Sequence, residues 1–154
     1  MSVKTAEEIG KLLKGGRKTL ILAGSLCDEV QFDGKKLLDY VAEISQKTGA
    51  PIAATGNTIV GLKDREVKSA KKMIAAEVIN YLRYPWQDSI IDQKPETLIF
   101  IGYNPAVSRS LVSAAMGVET VILGNSYLEE ATYSLPDASF RQWQQSLEQL
   151  IAAL

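Results

Sequence analysis

Histidine is absent from this 154-residue sequence, and cysteine appears once, as Cys27. Without histidine, the commonest general base and the commonest transition-metal ligand are both missing. One thiol forms no disulfide within the chain and holds no iron–sulfur cluster by itself. Zinc sites built from cysteine and histidine are excluded on the same count. A surplus of either charge is also lacking, since 17 basic side chains oppose 18 acidic ones for a net charge of -1. Gripping nucleic acid or an anionic membrane needs a basic surplus, so neither is expected as a partner. No apolar run approaches the roughly 20 residues that span a bilayer, and the N-terminus has no apolar leader segment. The expected compartment is the cytoplasm.

What is present is ordinary globular material. Hydrophobic residues make up 46% and charged residues 23%, enough to bury a core and inconsistent with disorder. The length suits one domain over residues 1–154. Four short aliphatic runs each end in a glycine: Thr19 to Ala23 before Gly24, Pro51 to Thr55 before Gly56, Thr97 to Ile101 before Gly102, and Thr120 to Leu123 before Gly124. None alternates polar with apolar, so each reads as a strand buried on both faces of a parallel sheet.

Helical patterns separate these runs. From Asp33 to Lys47, Leu37, Leu38, Val41 and Ile44 recur at three and four, and from Val67 to Tyr84, Met73, Ile74, Val78, Ile79 and Leu82 do the same before Pro85. Ser108 to Met116 carries Leu111, Val112 and Ala115. Ser139 to Leu154 carries Phe140, Trp143, Leu147, Leu150 and Ile151, with Ser139 as N-cap. A first helix over Ala6 to Lys14 ends at Gly15–Gly16, and Ala131 to Pro136 offers a further short strand. Alternating strands and helices predict right-handed crossovers and a three-layer α/β/α sandwich with a mostly parallel sheet.

In such a sheet the strand carboxyl ends and the following helix N-termini share one edge. The glycines fall there beside small polar residues, giving Gly24, Ser25, Gly56, Asn57, Thr58, Gly102, Asn104, Gly124 and Asn125 as candidate cofactor-binding residues. One reading is a crevice for a nucleotide or other phosphate-bearing ligand, because glycine admits close approach and helix N-termini attract anions. The other is that tight turns between strand and helix simply require Gly and Asn. The standard fingerprints are missing. Gly24–Ser25–Leu26–Cys27 stands where G-x-G-x-x-G would begin, Ala54–Thr55–Gly56 carries no acid for a ribose, and no phosphate-loop motif occurs.

Cys27 has no histidine to activate it, and reads as a small half-buried residue or as a thiol at a helix N-terminus. Lys63, Asp64, Arg65, Glu66, Lys68, Lys71 and Lys72 form the densest charge cluster, a solvated helix face or a docking surface for an acidic partner. Tyr81, Arg83, Tyr84 and Trp86 suit either an interface hot spot or a satellite core. No catalytic residue and no metal ligand is assigned.

Several of these segments occur together in one order. They are Pro51–Ile52–Ala53–Ala54–Thr55–Gly56–Asn57–Thr58, Lys63–Asp64–Arg65, Asn80–Tyr81–Leu82, Pro85–Trp86, Leu98–Ile99–Phe100–Ile101–Gly102, Tyr133–Ser134–Leu135–Pro136 and the closing amphipathic helix. Together they resemble the epsilon subunit of the archaeal acetyl-CoA decarbonylase/synthase complex, the small partner of its carbon monoxide dehydrogenase subunit. The resemblance implies a Rossmann-like fold similar to the NAD/FAD-binding-like middle domain of thiamine-diphosphate enzymes. It also implies an alpha2-epsilon2 heterotetramer in which the large alpha subunits hold the nickel–iron–sulfur chemistry. Within it, epsilon would stabilise alpha or assist electron transfer to FAD, without being catalytic alone. Where that family often has histidine after the Thr-Gly pair, this chain has Asn57, so no imidazole role carries over. The alternative is a nucleotide or flavin carrier, with FAD on the glycine-lined strand ends. Edge strands of the sheet also make self-association an expectation.

Overall fold

A computed structural model describes residues 2–15, 18–83, 86 and 94–154. The strands are β1 (Ser2–Val3), β2 (Thr19–Ala23), β3 (Ile52–Ala54), β4 (Ala70–Lys72), β5 (Thr97–Ile101), β6 (Glu119–Ile122) and β7 (Tyr133–Ser134). The helices are α1 (Ala6–Leu13), α2 (Leu26–Glu29), α3 (Leu37–Thr48), α4 (Gly56–Asp64), α5 (Ala75–Tyr81), α6 (Pro105–Ala114) and α7 (Phe140–Ala152). The seven strands form one sheet in the order β1-β7-β6-β5-β2-β3-β4, and every pairing is parallel. Counted from β2, this is the doubly-wound order 3-2-1-4-5-6 with β1 added beyond β7.

The fully buried strands explain the aliphatic runs. Side chains alternate across the sheet, so Ile21 and Ile99 join the core beneath α1, α3, α4 and α7, while Leu20, Leu22, Leu98 and Phe100 join the core beneath α5 and α6. Two apolar layers on opposite faces make the Rossmann-like three-layer α/β/α sandwich. No helix among the described residues is long and apolar enough to cross a membrane.

Local chemistry fixes the helix ends. Thr5 and Glu8 close a capping box on α1, as Ser139 and Gln142 do on α7. Asn104 caps α6 by accepting from the Val107 amide at 2.9 Å, and Pro105 follows at the first helical position. Consequently α6 begins three residues before the expected Ser108. The expected helix from Asp33 starts at Leu37, because Gln31 and Lys36 form an antiparallel bridge around a turn through Gly34.

The helix expected from Val67 to Tyr84 is not one element. Its first half is the edge strand β4, paired with β3 from Ile52↔Ala70 to Ala54↔Lys72, and α5 starts only at Ala75. Ladder pairing with β3 here outweighs a periodicity that suits a helix. The Lys63-to-Lys72 charges therefore do not share one helix face, but run along the end of α4, a turn and β4. Within them Arg65 donates to the Asp39 carboxylate at 2.6 Å and to the Gly61 carbonyl at 2.9 Å. Burial pushes the Asp39 carboxyl up, but its bonds to the Arg65 guanidinium and the Lys36 amide outweigh this and hold it below its ordinary value. Gly16, Tyr84 and Pro85, used above to mark helix ends, lie outside the described residues.

Helices α1 and α7 pack closely, because Gly10 has no side chain. A Cβ there would lie 2.6 Å from the Leu150 carbonyl oxygen and 2.7 Å from the Ala153 methyl. Gly10→Ala is expected to destabilise the fold by about 1–3 kcal/mol through overpacking, despite the better helix propensity of alanine. Urea denaturation measures it, and an unchanged midpoint would show that the two helices are not held in this contact.

Candidate functional site

The strand order reverses between β2 and β5, where an open parallel sheet of this kind ordinarily accepts its ligand. Here the chain closes that point upon itself. The Gly24 amide donates to the Ile101 carbonyl at 2.9 Å, and the Leu26 amide donates to the Gly102 carbonyl at 3.0 Å. A Cβ on Gly24 would collide with the Gly102 oxygen and lie 2.7 Å from the Tyr103 ring. A Cβ on Gly102 would collide with the Cys27 sulfur, and φ of +86° there favours glycine independently. Thr58 is buried and donates to the Gly24 carbonyl at 3.3 Å, tying the start of α4 to the end of β2. At Gly24, Thr58 and Gly102, then, the candidate ligand-binding residues are in contact with their own chain.

Cys27 completes this closure. Its thiol is fully buried and donates to the Ile101 carbonyl at 3.3 Å. Burial raises its pKa far above the ordinary thiol range, because the charged thiolate would lose its hydration. This excludes the helix-terminus reading that would lower it, and the residue is more deeply buried than its sequence position suggested.

The remaining candidates diverge. Gly56, Asn57 and Ser25 are exposed. A Cβ on Gly56 would meet only the Lys72 Cε, at 3.6 Å. Gly102, Asn104, Gly124 and Asn125 share the rim of a cavity of about 200 Å³ set between the ends of β5 and β6 and the start of α7. Leu26, Val30, Ile122, Leu128, Phe140 and Trp143 supply its apolar walls. The Trp143 indole is oriented by donating to the Leu123 carbonyl at 3.3 Å, and its ring meets Phe140 at a centroid distance of 5.7 Å. Tyr103 also lines the cavity; its hydroxyl is buried without a hydrogen-bond partner, and burial raises its pKa. Leaving such a hydroxyl unpaired costs about 1–3 kcal/mol.

Sequence reasoning missed the Tyr103, Phe140 and Trp143 walls. Two signals were available: Tyr103 directly follows a strand-end glycine, and Phe140 and Trp143 are three apart in the first turn of a capped helix. Tyr81 and Trp86 pack edge to face at 6.0 Å, half-buried against the smaller core, with Arg83 exposed beside them. Tyr84 lies outside the described residues. Among the described residues, no group of three His, Cys, Asp or Glu side chains converges on a point that could hold a metal.

The closure around Cys27 makes a kinetic prediction. A disulfide reagent such as DTNB should label native protein only as fast as it opens or unfolds, and at once in denaturant. Rapid stoichiometric labelling of the native chain would contradict the buried thiol.

No family model matches the chain. Among curated proteins it is 29% identical to acetyl-CoA decarbonylase/synthase complex subunit epsilon 1 of Methanosarcina barkeri, over 96% of this chain and 86% of that one. It is 27% identical to subunit epsilon 2 of the same complex from Methanosarcina mazei, over 94% of this chain and 84% of the relative. The resemblance carried by the ordered motifs therefore extends over nearly the whole sequence, and the chain is a homologue of the epsilon subunits of acetyl-CoA decarbonylase/synthase complexes.

Proposed function

We propose that this chain is an accessory, non-catalytic subunit of an acetyl-CoA decarbonylase/synthase complex in the cytoplasm. In this reading it docks on the large metal-bearing alpha subunit of the carbon monoxide dehydrogenase component, as half of an alpha2-epsilon2 assembly. It stabilises that subunit and assists electron transfer to FAD. The observation that carries the reading is the match to curated epsilon subunits over almost the full chain. The side-chain chemistry agrees with it: no histidine is present, and the one thiol is held protonated inside the fold.

Half-buried aromatic side chains beside an exposed arginine suit a docking patch, because they offer large rigid area at low entropic cost. Trp86→Ala and Tyr81→Ala should each weaken association with alpha by at least about tenfold, read by co-purification from cells expressing both chains. Full association by both variants would remove this patch from the interface.

Gly56 favours a second reading, a flavin or nucleotide carrier. Helix α4 begins there, and a Cβ on Gly56 would meet only the Lys72 Cε, at 3.6 Å. Free amides and a nearby cation suit the phosphates of FAD. Titration of the purified chain with FAD should then saturate, and Gly56→Val and Lys72→Glu should each weaken binding about tenfold or more. Equal affinity in Gly56→Val with unchanged circular dichroism would sink the site.

A further inference from the structure

We infer that the open side of β4 is a docking edge for an extended, acidic segment of a partner chain, which pairs with it as a further strand of the sheet. Strand β4 ends the strand order, and among the described residues it pairs only with β3. On the β3 side its backbone is engaged: the Ile52 amide donates to the Ser69 carbonyl at 2.9 Å, and the Met73 amide donates to the Ala54 carbonyl at 3.0 Å. Backbone groups alternate in direction along a strand, so residues 69, 71 and 73 face β3 while Ala70 and Lys72 turn their amides and carbonyls outward. Those outward groups are the donors and acceptors to which an added strand pairs.

Charge names the occupant. From Lys68 to Ile74 the chain carries three lysines and no carboxylate; the nearest acids in sequence, Glu66 and Glu77, lie before and after this stretch. Lys68 and Lys72 are exposed, as is Lys63 at the end of α4, and none of these three forms an ion pair among the described residues. A second copy of this chain is the wrong partner. Two β4 edges paired about a two-fold axis would set lysines against lysines, and like charges opposite one another oppose pairing. Lysine on an edge strand guards against such self-pairing. The same lysines favour a strand bearing glutamate or aspartate, held by main-chain bonds along the edge and by charge at its side chains. Ile74, 58% exposed, adds apolar contact just beyond the strand. Nucleic acid has no peptide backbone with which to meet the outward groups of Ala70 and Lys72. This edge is separate from the Tyr81 and Trp86 patch, and its test does not depend on that docking reading.

The probe is a blocked peptide alternating valine with glutamate, about seven residues long like an ordinary strand, titrated into the full chain and followed by two-dimensional NMR. The Ala70 and Lys72 amides should shift saturably, with a dissociation constant of about a millimolar or tighter, and should exchange with solvent more slowly when the peptide is bound. The same peptide with lysine in place of glutamate should bind at least about tenfold more weakly, and Lys68→Glu should weaken the glutamate peptide about threefold or more. Two N-methylated forms, one on the valines and one on the glutamates, separate strand pairing from charge attraction. Both keep the charge, and the form whose methyl groups face β4 should lose at least about tenfold in affinity. Ala70→Pro removes an outward amide without touching a bond to β3, and should lose as much while its circular dichroism stays unchanged. If that variant fails to fold, the N-methylated peptides carry the test. Absence of saturable shifts at Ala70 and Lys72 overturns the proposal. So does equal binding of the lysine peptide, undiminished binding of both N-methylated forms, or wild-type affinity in a folded Ala70→Pro.

Discussion

The contact between the ends of β2 and β5 is the constraint on which the rest of the molecule depends. These are the two central strands, paired over five residues from Thr19↔Thr97 to Ala23↔Ile101. Just past them the backbone at Gly24 and Gly102 comes so close that neither position has room for a methyl group. Cys27 fills the remaining space with a thiol small enough to fit and able to donate to the Ile101 carbonyl. Bulk at any of these three positions would prise apart the middle of the sheet, and with it both apolar layers.

That closure also redirects whatever the molecule can bind. A doubly-wound sheet normally leaves its crevice where the strand order reverses. With that point filled, open space is displaced sideways to the ends of β5 and β6, beneath the first turn of α7. The Ser139–Gln142 capping box fixes where α7 starts, and so places Phe140 and Trp143 over that space. The walls are neutral and apolar, unlike a phosphate cradle. The fold thus presents a rigid body, a largely apolar cavity and partly covered aromatic surface.

Much of the architecture was legible because the central strands are buried on both faces, so Thr19 to Ala23 and Thr97 to Ile101 had to be continuous aliphatic runs. Strand β4 was not legible. Ala70–Lys71–Lys72 has no aliphatic run of its own and becomes a strand only because β3 lies beside it. Helix α4 was missed for a related reason: its apolar residues are few, and Ile59 and Leu62 bury against α3. The strand-end glycines were located correctly, but spacing along the chain cannot show what faces each of them. Gly24 faces Tyr103, some eighty residues away in sequence, whereas Gly56 is open. The cavity walls come from the segments around Leu26, Tyr103, Leu128 and Trp143, whose convergence only the folded chain reveals.

The central claim is that this chain acts as a partner to a larger protein rather than alone. Sedimentation of the purified chain, alone and mixed with the alpha subunit of the carbon monoxide dehydrogenase component from the same source, tests it most directly. The account predicts a discrete complex with equal numbers of the two chains and stable at micromolar concentration. Independent sedimentation of the two chains at that concentration would contradict it.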